Sequence, residues 1–280
     1  MRIAKSIQEM RTICRELRRD DQVLGFVPTM GALHEGHLSL VRRARAECGI
    51  VAASIFVNPL QFAPGEDFAQ YPRTFEQDCK LLQVEGVDVL FAPEAEEMYP
   101  NRGATTVTVA GIGDRLDGAS RPGHFTGVAT VVAKLFHVVK PERAYFGQKD
   151  AAQLAVLRQM VRDLNFDVEI VGCAIVRDPD GLALSSRNRY LSAEERADAL
   201  VLHRALLRIE QMIARGERES GVLIQGGTEI LQAVAGVQVD YLAIVDANSL
   251  IPTASVETGT LVAVAACVGK TRLIDNFLVK

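Results

Sequence analysis

Two histidines three positions apart, His34 and His37, lie in the segment 28–37, which reads PTMGALHEGH. The segment follows an apolar run that predicts a buried strand over 23–29, and it precedes a helical pattern over 33–48. Both imidazoles are therefore expected on one side of a helix N-terminus. Free backbone N–H groups and the positive end of the helix dipole favour an anion there. Because imidazole N–H groups can also donate to phosphate oxygens, the pattern predicts a phosphate site of the kind used in nucleotidyl transfer.

Gly31 and Gly36 support this interpretation, because each lets a ligand approach the backbone closely. Neither the P-loop pattern nor the dinucleotide-binding glycine pattern occurs in the segment. The alternative is a metal half-site or two surface histidines, but zinc needs further ligands and no clear candidate lies nearby in sequence. The protonation state of the imidazoles stays open, since the helix dipole disfavours imidazolium whereas bound phosphate favours it.

A second group of polar side chains follows the predicted strand 50–57. Asn58 and Gln61 are amides that can hydrogen-bond a hydroxy acid or an amine. In an open parallel sheet, ligands bind beyond the carboxyl ends of the strands, which is where these amides are expected. The alternative is an ordinary polar loop.

A third group ends another strand and opens a helix, in the segment 145–150 with the sequence YFGQKD. Lys149 offers a point charge to phosphate, and Asp150 either caps the helix or binds ribose hydroxyls. Gln153 lies one helical turn further on. A solvated Lys–Asp pair is the alternative.

Two further segments carry cations. The segment 184–188, LSSRN, combines two hydroxyls with the guanidinium of Arg187, which suits a loop that closes over a phosphate. The segment 121–127, RPGHFTG, predicts a turn entering a helix, and it either lines the site or only shapes the turn.

Acidic residues near the end of the second predicted strand are Glu66, Asp67 and Asp78. Carboxylates of this kind can help to hold Mg²⁺. A solvated helix face is the favoured interpretation, and the sequence leaves the metal ligands unknown.

The elements that must position these residues alternate between strand and helix over about the first 175 residues, which predicts a parallel sheet with helices on both faces. The strands are expected at 23–29, 50–57, 87–91, 144–146 and 168–175, with an accessory strand at 105–109. The helices are expected at 33–48, 74–85, 127–138 and 151–164.

The pattern changes after residue 178. Ser192 and Glu195 form a capping box that opens a long helix, and a second helix is expected over 221–235. Strands are then expected at 237–245, 260–267 and 272–278. Helices followed by strands predict a smaller α+β domain. We therefore expect a division into residues 1–176 and residues 177–280.

Composition limits the class of protein. The chain has 280 residues, 48% of them apolar, which is enough for two domains with a core. A net charge of −4 argues against a nucleic-acid partner. The five cysteines form no CxxC pair and suggest buried thiols in a reducing compartment. Because neither a secretory signal nor a membrane-spanning run is present, a soluble cytoplasmic protein is expected.

Taken together, these motifs resemble the pantothenate synthetase (pantoate–β-alanine ligase) family, within the HxGH nucleotidyltransferase superfamily. The motifs are PTMGALHEGH (28–37), FVNPLQF (56–62), YPRT (71–74), RPGHFTGVATVVAKLF (121–136), YFGQKD (145–150) and LSSRN (184–188). The resemblance implies a Rossmann-like domain that binds ATP and pantoate, followed by a smaller lid domain. It also implies a homodimer, with ATP as co-substrate; Mg²⁺ is inferred because ATP arrives as its magnesium complex.

By this resemblance the reaction joins pantoate and β-alanine in two steps through a pantoyl adenylate, and releases pyrophosphate and then AMP. His37, as proton donor, His34 and Lys149 are implied to be catalytic. Gln61, Gln153 and Asn58 are implied to bind pantoate, and Gln61 also β-alanine. The implied ATP-binding residues are Met30, Gly31, Ala32, Leu33, His34, Glu35, Gly36, His37, Gly147, Gln148, Lys149, Asp150, Val176 (through its backbone), Leu184, Ser185, Ser186 and Arg187.

Two positions depart from the family pattern. Ala152 replaces a glutamine, and Leu184 replaces a methionine, a change that conserves volume. Two other functions are alternatives: a nucleotidyltransferase that makes a stable nucleotide product, and a nucleotide sensor without catalysis. The amides Asn58, Gln61 and Gln153 argue against the first, and the presence of His37, Lys149 and Arg187 argues against the second.

Overall fold

The computed structural model describes residues 1–18 and 22–280. Its centre is a six-stranded parallel sheet with the strand order β1-β4-β3-β2-β5-β6. The strands are β1 (Arg2–Ala4), β2 (Leu24–Thr29), β3 (Ile50–Ile55), β4 (Val89–Phe91), β5 (Arg143–Gly147) and β6 (Glu169–Cys173).

Strands β2 and β3 lie side by side at the middle of this sheet. They are paired in register from Leu24 beside Ile50 to Thr29 beside Ile55. Nearly every residue of both strands is buried, since helices cover both faces, and this explains why their sequences are continuous apolar runs. The two strands end together, so the loops that follow them emerge at the same edge.

The α-helices are α1 (Ile7–Leu17), α2 (Glu35–Glu47), α3 (Phe75–Val84), α4 (Ala95–Met98), α5 (Asp117–Ser120), α6 (His124–Val139), α7 (Ala151–Asp163), α8 (Ala193–Ala214) and α9 (Ser220–Gln232). Helices α2 and α3 pack on one face of the large sheet around one apolar cluster, which includes Val41 and Leu82. Helices α1, α6 and α7 cover the other face around a larger cluster, which includes Met10 and Phe136. The predicted parallel sheet with helices on both faces is thus confirmed.

The C-terminal part has its own three-stranded antiparallel sheet in the order β7-β8-β9, formed by β7 (Val237–Asp246), β8 (Thr260–Val268) and β9 (Thr271–Leu278). Helices α8 and α9 pack against it around a separate apolar cluster. Ser192 and Glu195 form the expected capping box at the start of α8. The smaller α+β arrangement is therefore confirmed, whereas the boundary at residue 176 stays a prediction.

The predicted helices and strands are confirmed with ends displaced by a few residues, but the accessory strand at 105–109 is wrong. That segment has no strand partner, and the N–H of Val107 donates instead to the Thr130 hydroxyl of α6 at 2.9 Å. Strand β1 and helix α1 were not predicted. Within the described ranges, no helix is both long and apolar enough to cross a membrane.

Candidate active site

The two histidines of the HxGH motif lie at the N-terminus of α2, as predicted. His34 is the N-cap residue, and its Nδ1 accepts the Gly36 N–H at 3.2 Å. The Nδ1 of His37 accepts the His34 N–H at 3.4 Å, and the two ring centroids are 4.1 Å apart. Because each Nδ1 is an acceptor, each neutral ring carries its proton on Nε2. The pair therefore caps the helix and keeps two Nε2–H donors for a ligand.

The electrostatic surroundings keep both rings neutral. Burial, followed by the nearby charge of Lys149, lowers the pKa of His34 to about 4. Burial, followed by His34 and Lys149, lowers the pKa of His37 to about 3. The protonation state that the sequence left open is therefore the neutral imidazole at pH 7. A bound polyphosphate would raise both pKa values, because a nearby negative charge favours imidazolium.

The loop before α2 is held in place by hydrogen bonds to the buried side chain of Asp78. Gly31 and Ala32 both have positive φ, 81° and 51°. The carboxylate of Asp78 accepts the N–H groups of Ala32 and Leu33, both at 2.9 Å, and the hydroxyl of Thr74 at 3.1 Å. Asp78 is only 1% exposed. The favoured interpretation of Asp78 as part of a solvated helix face is therefore wrong, and its oxygens already have partners, so they are not free to bind Mg²⁺.

A cavity of about 170 Å³, here called the nucleotide cavity, opens above this helix end. Twelve of the residues assigned to ATP by resemblance line it, namely Met30, His34, Gly36, His37, Gly147, Lys149, Asp150, Val176, Leu184, Ser185, Ser186 and Arg187. The other five do not. Gly31, Ala32 and Leu33 lie in the loop before α2 that Asp78 holds. Glu35 pairs with Arg42 at the surface. The side chain of Gln148 donates to Asn276 at 3.3 Å.

Lys149 and Asp150 lie in a 3-10 turn, Gln148–Asp150, between β5 and α7. The ammonium of Lys149 is 3.5 Å from the Asp150 carboxylate, so the pair named as the alternative exists, but Lys149 is largely buried rather than solvated. Asp150 is the N-cap residue of α7, but its side chain accepts no capping hydrogen bond. The carboxylate, whose partner is the Lys149 ammonium, lines the nucleotide cavity.

A second cavity of about 200 Å³, here called the acid cavity, adjoins the first and is lined by Asn58, Gln61 and Gln153. Its lining also includes apolar side chains, among them Val128 and Val132 of α6. His37, Asp150 and Arg187 line both cavities. A small polar molecule with apolar substituents fits this lining, beside a nucleotide.

Asn58 supports Gln61 in this cavity. The Asn58 amide donates to Gln61 Oε1 at 3.2 Å and to the Gly127 carbonyl at 3.0 Å, and its Oδ1 accepts the Tyr99 hydroxyl at 2.8 Å. A Cβ at Gly127 would overlap the backbone of Leu60, so only glycine lets α6 approach the loop this closely. Because the Asn58 amide already has protein partners, these contacts favour a positioning role for it.

Arg121 and His124 approach Gln61 from the other side. Arg121 forms two hydrogen bonds of 2.7 Å with Glu66 and donates to His124 Nε2 at 3.0 Å, so His124 Nδ1–H donates to the Gln61 carbonyl at 2.8 Å. Burial, followed by the Arg121 charge, lowers the pKa of His124 to about 4. The segment 121–127 thus both lines the site and shapes the turn.

The loop 184–188 lies over the nucleotide cavity. The Ser186 hydroxyl donates to the Ala32 carbonyl at 3.1 Å, and Ser185 Oγ accepts the Arg187 N–H at 3.3 Å. Arg187 forms two hydrogen bonds with Asp67, of 2.9 and 2.8 Å. Glu66 and Asp67 are therefore partners of two site arginines, and the expectation that they belong to a solvated helix face is wrong.

A cleft of about 950 Å³ separates the large sheet from the small one. Arg121, Lys149, Gln153 and Arg187 line it on one side, and Lys270 of the β8–β9 hairpin lies on the other. In residues 1–18 and 22–280, no group of three or more histidine, cysteine or acidic side chains is arranged to hold a metal ion.

Comparison with known proteins decides the family. The family model described as pantoate-beta-alanine ligase matches residues 2–278. A pantothenate synthetase of Koribacter versatilis is 56% identical over 280 residues, which cover 100% of this chain and 96% of that protein. One from Acidobacterium capsulatum is 59% identical over 289 aligned positions, which cover 99% and 97%. The chain belongs to the pantoate–β-alanine ligase family.

Solved structures of the pantoate–β-alanine ligase family have the same fold. The crystal structure of pantothenate synthetase from Thermus thermophilus has a TM-score of 0.94 and 52% identity, and the match covers 99% of each chain. The Francisella tularensis ligase, solved with beta-gamma ATP and β-alanine, has a TM-score of 0.79 and 35% identity, with 99% of this chain and 97% of that one covered.

Sequence reasoning missed the residues that support the site from behind. Tyr99 carries no motif of its own, Thr74 ends the motif YPRT (71–74) with no role assigned to it, and Asp78 reads as one acidic residue among several on α3. Asn276 lies on β9 and contacts the segment of Lys149, as described below. The only available signal was a polar pair, Asp275 and Asn276, inside an apolar strand pattern.

Proposed function

We propose that this chain joins pantoate to β-alanine at the expense of ATP, by way of a pantoyl adenylate, and releases pyrophosphate and AMP. Membership of the ligase family and the ligand set of the Francisella tularensis structure support the substrates. The observation that carries the proposal is the shared wall of the nucleotide and acid cavities, to which His37, Asp150 and Arg187 belong.

In the first step a carboxylate oxygen of pantoate attacks the α-phosphorus of ATP, the bond to the bridging oxygen breaks, and pyrophosphate leaves. The reaction needs no covalent enzyme nucleophile, because adenylation itself turns the carboxylate into a good acyl donor. Alignment of bound groups can lower such a barrier by up to about 7–11 kcal/mol. In the proposal Gln61 and Gln153 orient pantoate, while the α2 N-terminus and Lys149 hold the phosphates.

In the proposal the Nε2–H groups of His34 and His37 donate to phosphate oxygens and stabilise the charge on them. His37 is the proposed proton donor to the leaving pyrophosphate, and the charge of the bound triphosphate would raise its pKa toward a useful range. Arg187 adds a guanidinium to the same phosphates once it leaves Asp67.

In the second step the amine of β-alanine attacks the acyl carbon, a proton leaves the nitrogen, and the bond to the AMP oxygen breaks. The amine can approach through the 950 Å³ cleft, which meets the acid cavity at Arg121, Gln153 and Arg187. Gln61 is proposed to contact β-alanine as well as pantoate.

The proposal treats Mg²⁺ as part of the ATP substrate, since Mg²⁺ commonly binds through substrate phosphates with few protein carboxylates. Asp78 is used by the backbone, and Glu66 and Asp67 by arginines, so no protein ligand is assigned. A homodimer, a cytoplasmic location and a lid domain formed by residues 177–280 are retained as proposals from the resemblance and the sequence.

The test is a product analysis with the purified chain. With ATP and pantoate alone, we expect pyrophosphate release limited to the enzyme-bound adenylate and exchange of labelled pyrophosphate into ATP. Addition of β-alanine should give pantothenate and AMP in equal amounts. A nucleotide-linked product that persists with β-alanine would favour a simple nucleotidyltransferase, and ATP binding without turnover would favour a sensor.

A further inference from the structure

Asn276 connects the small sheet to the turn that carries Lys149. It lies on β9, is only 2% exposed, and its Nδ2 donates to the carbonyl oxygens of Gln148 at 3.0 Å and Lys149 at 2.8 Å. Its Oδ1 accepts the side-chain amide of Gln148 at 3.3 Å. One buried amide of the C-terminal part therefore makes three hydrogen bonds to two consecutive residues of the nucleotide site.

The preceding residue, Asp275, holds a second segment of the same site. Its carboxylate accepts two hydrogen bonds from Arg177, at 2.6 and 2.8 Å, and also the Asn276 backbone N–H at 2.8 Å. Arg177 directly follows Val176, which lines the nucleotide cavity. The pair Asp275–Asn276 thus links two separate segments of that cavity to one strand.

The turn that carries Lys149 needs such support. Neither the 3-10 turn Gln148–Asp150 nor the start of α7 has a side chain that caps it, since Gly147 has none to offer and Asp150 accepts no capping bond. Lysine is a flexible point charge, so the place of its ammonium depends on the backbone from which it extends. The two carbonyl oxygens that accept hydrogen bonds from the Asn276 amide belong to this backbone.

We propose that Asn276 is a positioning residue for Lys149 in the adenylation step, an inference that rests on the proposed function. Without the Asn276 amide, the carbonyls of Gln148 and Lys149 lose a buried donor, and the turn relaxes away from the phosphates. A displacement of about 1 Å at a reacting centre can reduce a rate about a hundredfold.

The test is a double-mutant cycle that measures pyrophosphate–ATP exchange and the affinity for a non-hydrolysable ATP analogue. Asn276→Ala should reduce kcat/KM for ATP in exchange by roughly ten- to a hundredfold. In a Lys149→Ala background the same change should reduce analogue affinity and residual exchange by no more than about twofold, because coupled residues are not additive. Asn276→Leu fills about the same space with neither the donor nor a charge, and it should resemble Asn276→Ala.

The matched control is Thr260→Ala. Thr260 is buried in the same small sheet, and its hydroxyl accepts the Glu257 N–H at 3.0 Å without contacting the site. This variant should lose stability but keep the exchange rate. Thermal midpoints of all variants identify any that fail to fold, and the Asn276→Leu variant then replaces Asn276→Ala in the cycle.

The outcomes separate the two proposals. Equal losses from Asn276→Ala in both backgrounds, or no loss from a folded variant, would overturn the positioning role while leaving the proposed function in place. Absence of pantoate-dependent exchange in the unsubstituted chain would instead contradict the proposed function.

Discussion

The carboxylate of Asp67 holds the guanidinium of Arg187 through two hydrogen bonds of 2.9 and 2.8 Å. Burial opposes ionisation of Asp67, but the hydrogen bonds and charge of Arg187 outweigh it and lower the pKa of that carboxyl. Arg187 also lines the nucleotide cavity, where its proposed partner is a phosphate. The guanidinium proposed to bind phosphate is therefore paired with one of the protein's own carboxylates.

This pairing predicts that Asp67→Asn tightens nucleotide binding. Arg187 must leave Asp67 before it can reach a phosphate, so removal of the competing charge should lower the Kd for a non-hydrolysable ATP analogue about fivefold, or ~1 kcal/mol. Isothermal titration measures the change. Glu66→Gln, which breaks the corresponding pair with Arg121, is the control and should leave this Kd within about twofold. Weaker binding by Asp67→Asn would mean that Asp67 orients Arg187 for the ligand.

Loss of either phosphate donor should stop adenylation without unfolding the chain. His37→Ala and Lys149→Ala each remove a group that is expected to stabilise charge on the transferring phosphate, and we expect exchange to fall about 10²–10³-fold. A time course of labelled pyrophosphate exchange into ATP gives the rates. His137→Ala changes an exposed histidine far along α6 and serves as the control. Near-normal exchange in either site variant would refute the assigned roles.

Asp78→Asn should affect both stability and nucleotide binding. Asparagine has the same size but replaces one acceptor oxygen with an NH₂ group, which would then face a backbone N–H of Ala32 or Leu33. An unsatisfied buried donor costs about 1–3 kcal/mol. Urea denaturation should show a loss of this order, and affinity for the ATP analogue should fall. Glu76→Gln, an exposed change on the same helix, should alter neither quantity.

The buried histidines predict a loss of stability in acid. His34, His37 and His124 have pKa values lowered from 6.5 to about 4, 3 and 4 in the folded chain. Below pH 6.5 the unfolded chain therefore binds protons that the folded chain does not, so the free energy of unfolding falls as pH falls from 6.5 toward about 4. Denaturation at several pH values measures this slope.

His124→Asn removes one of the three groups and should make that slope shallower, even if it lowers stability at pH 7. His137→Asn, an exposed change, should leave the slope as it is. An unchanged slope in His124→Asn would show that the pKa of His124 in the folded chain is not lowered from its ordinary value.

The parts of the fold that sequence predicted are those set by local pattern. The apolar runs of β2 and β3 predict buried strands, and the glycines and histidines of 28–37 indicate a strand-to-helix turn. The segment 105–109 alternates in the manner of a strand, but a strand also needs a neighbour. There the N–H of Val107 is satisfied by Thr130, which periodicity cannot reveal.

The supporting residues were out of reach for a related reason. Asp78 contacts Ala32 across 46 positions, and Asn276 contacts Gln148 across 128. Neither contact leaves a mark in the local spacing of residue types, because it depends on which elements the tertiary fold brings together. Composition likewise placed Asp78 among surface carboxylates, whereas three hydrogen bonds from the loop and Thr74 keep it inside.

The three hydrogen bonds of Asn276 also restrict how relatives can be recombined. A hybrid gene that joins the large sheet of one relative to the small sheet of another would bring together Gln148, Lys149 and Asn276 from different parents. Such a chimera keeps the backbone of the turn Gln148–Asp150 in place only if the incoming strand supplies an amide at the position of Asn276. An exchange of the small sheet between relatives is therefore expected to preserve nucleotide affinity only where this asparagine is kept.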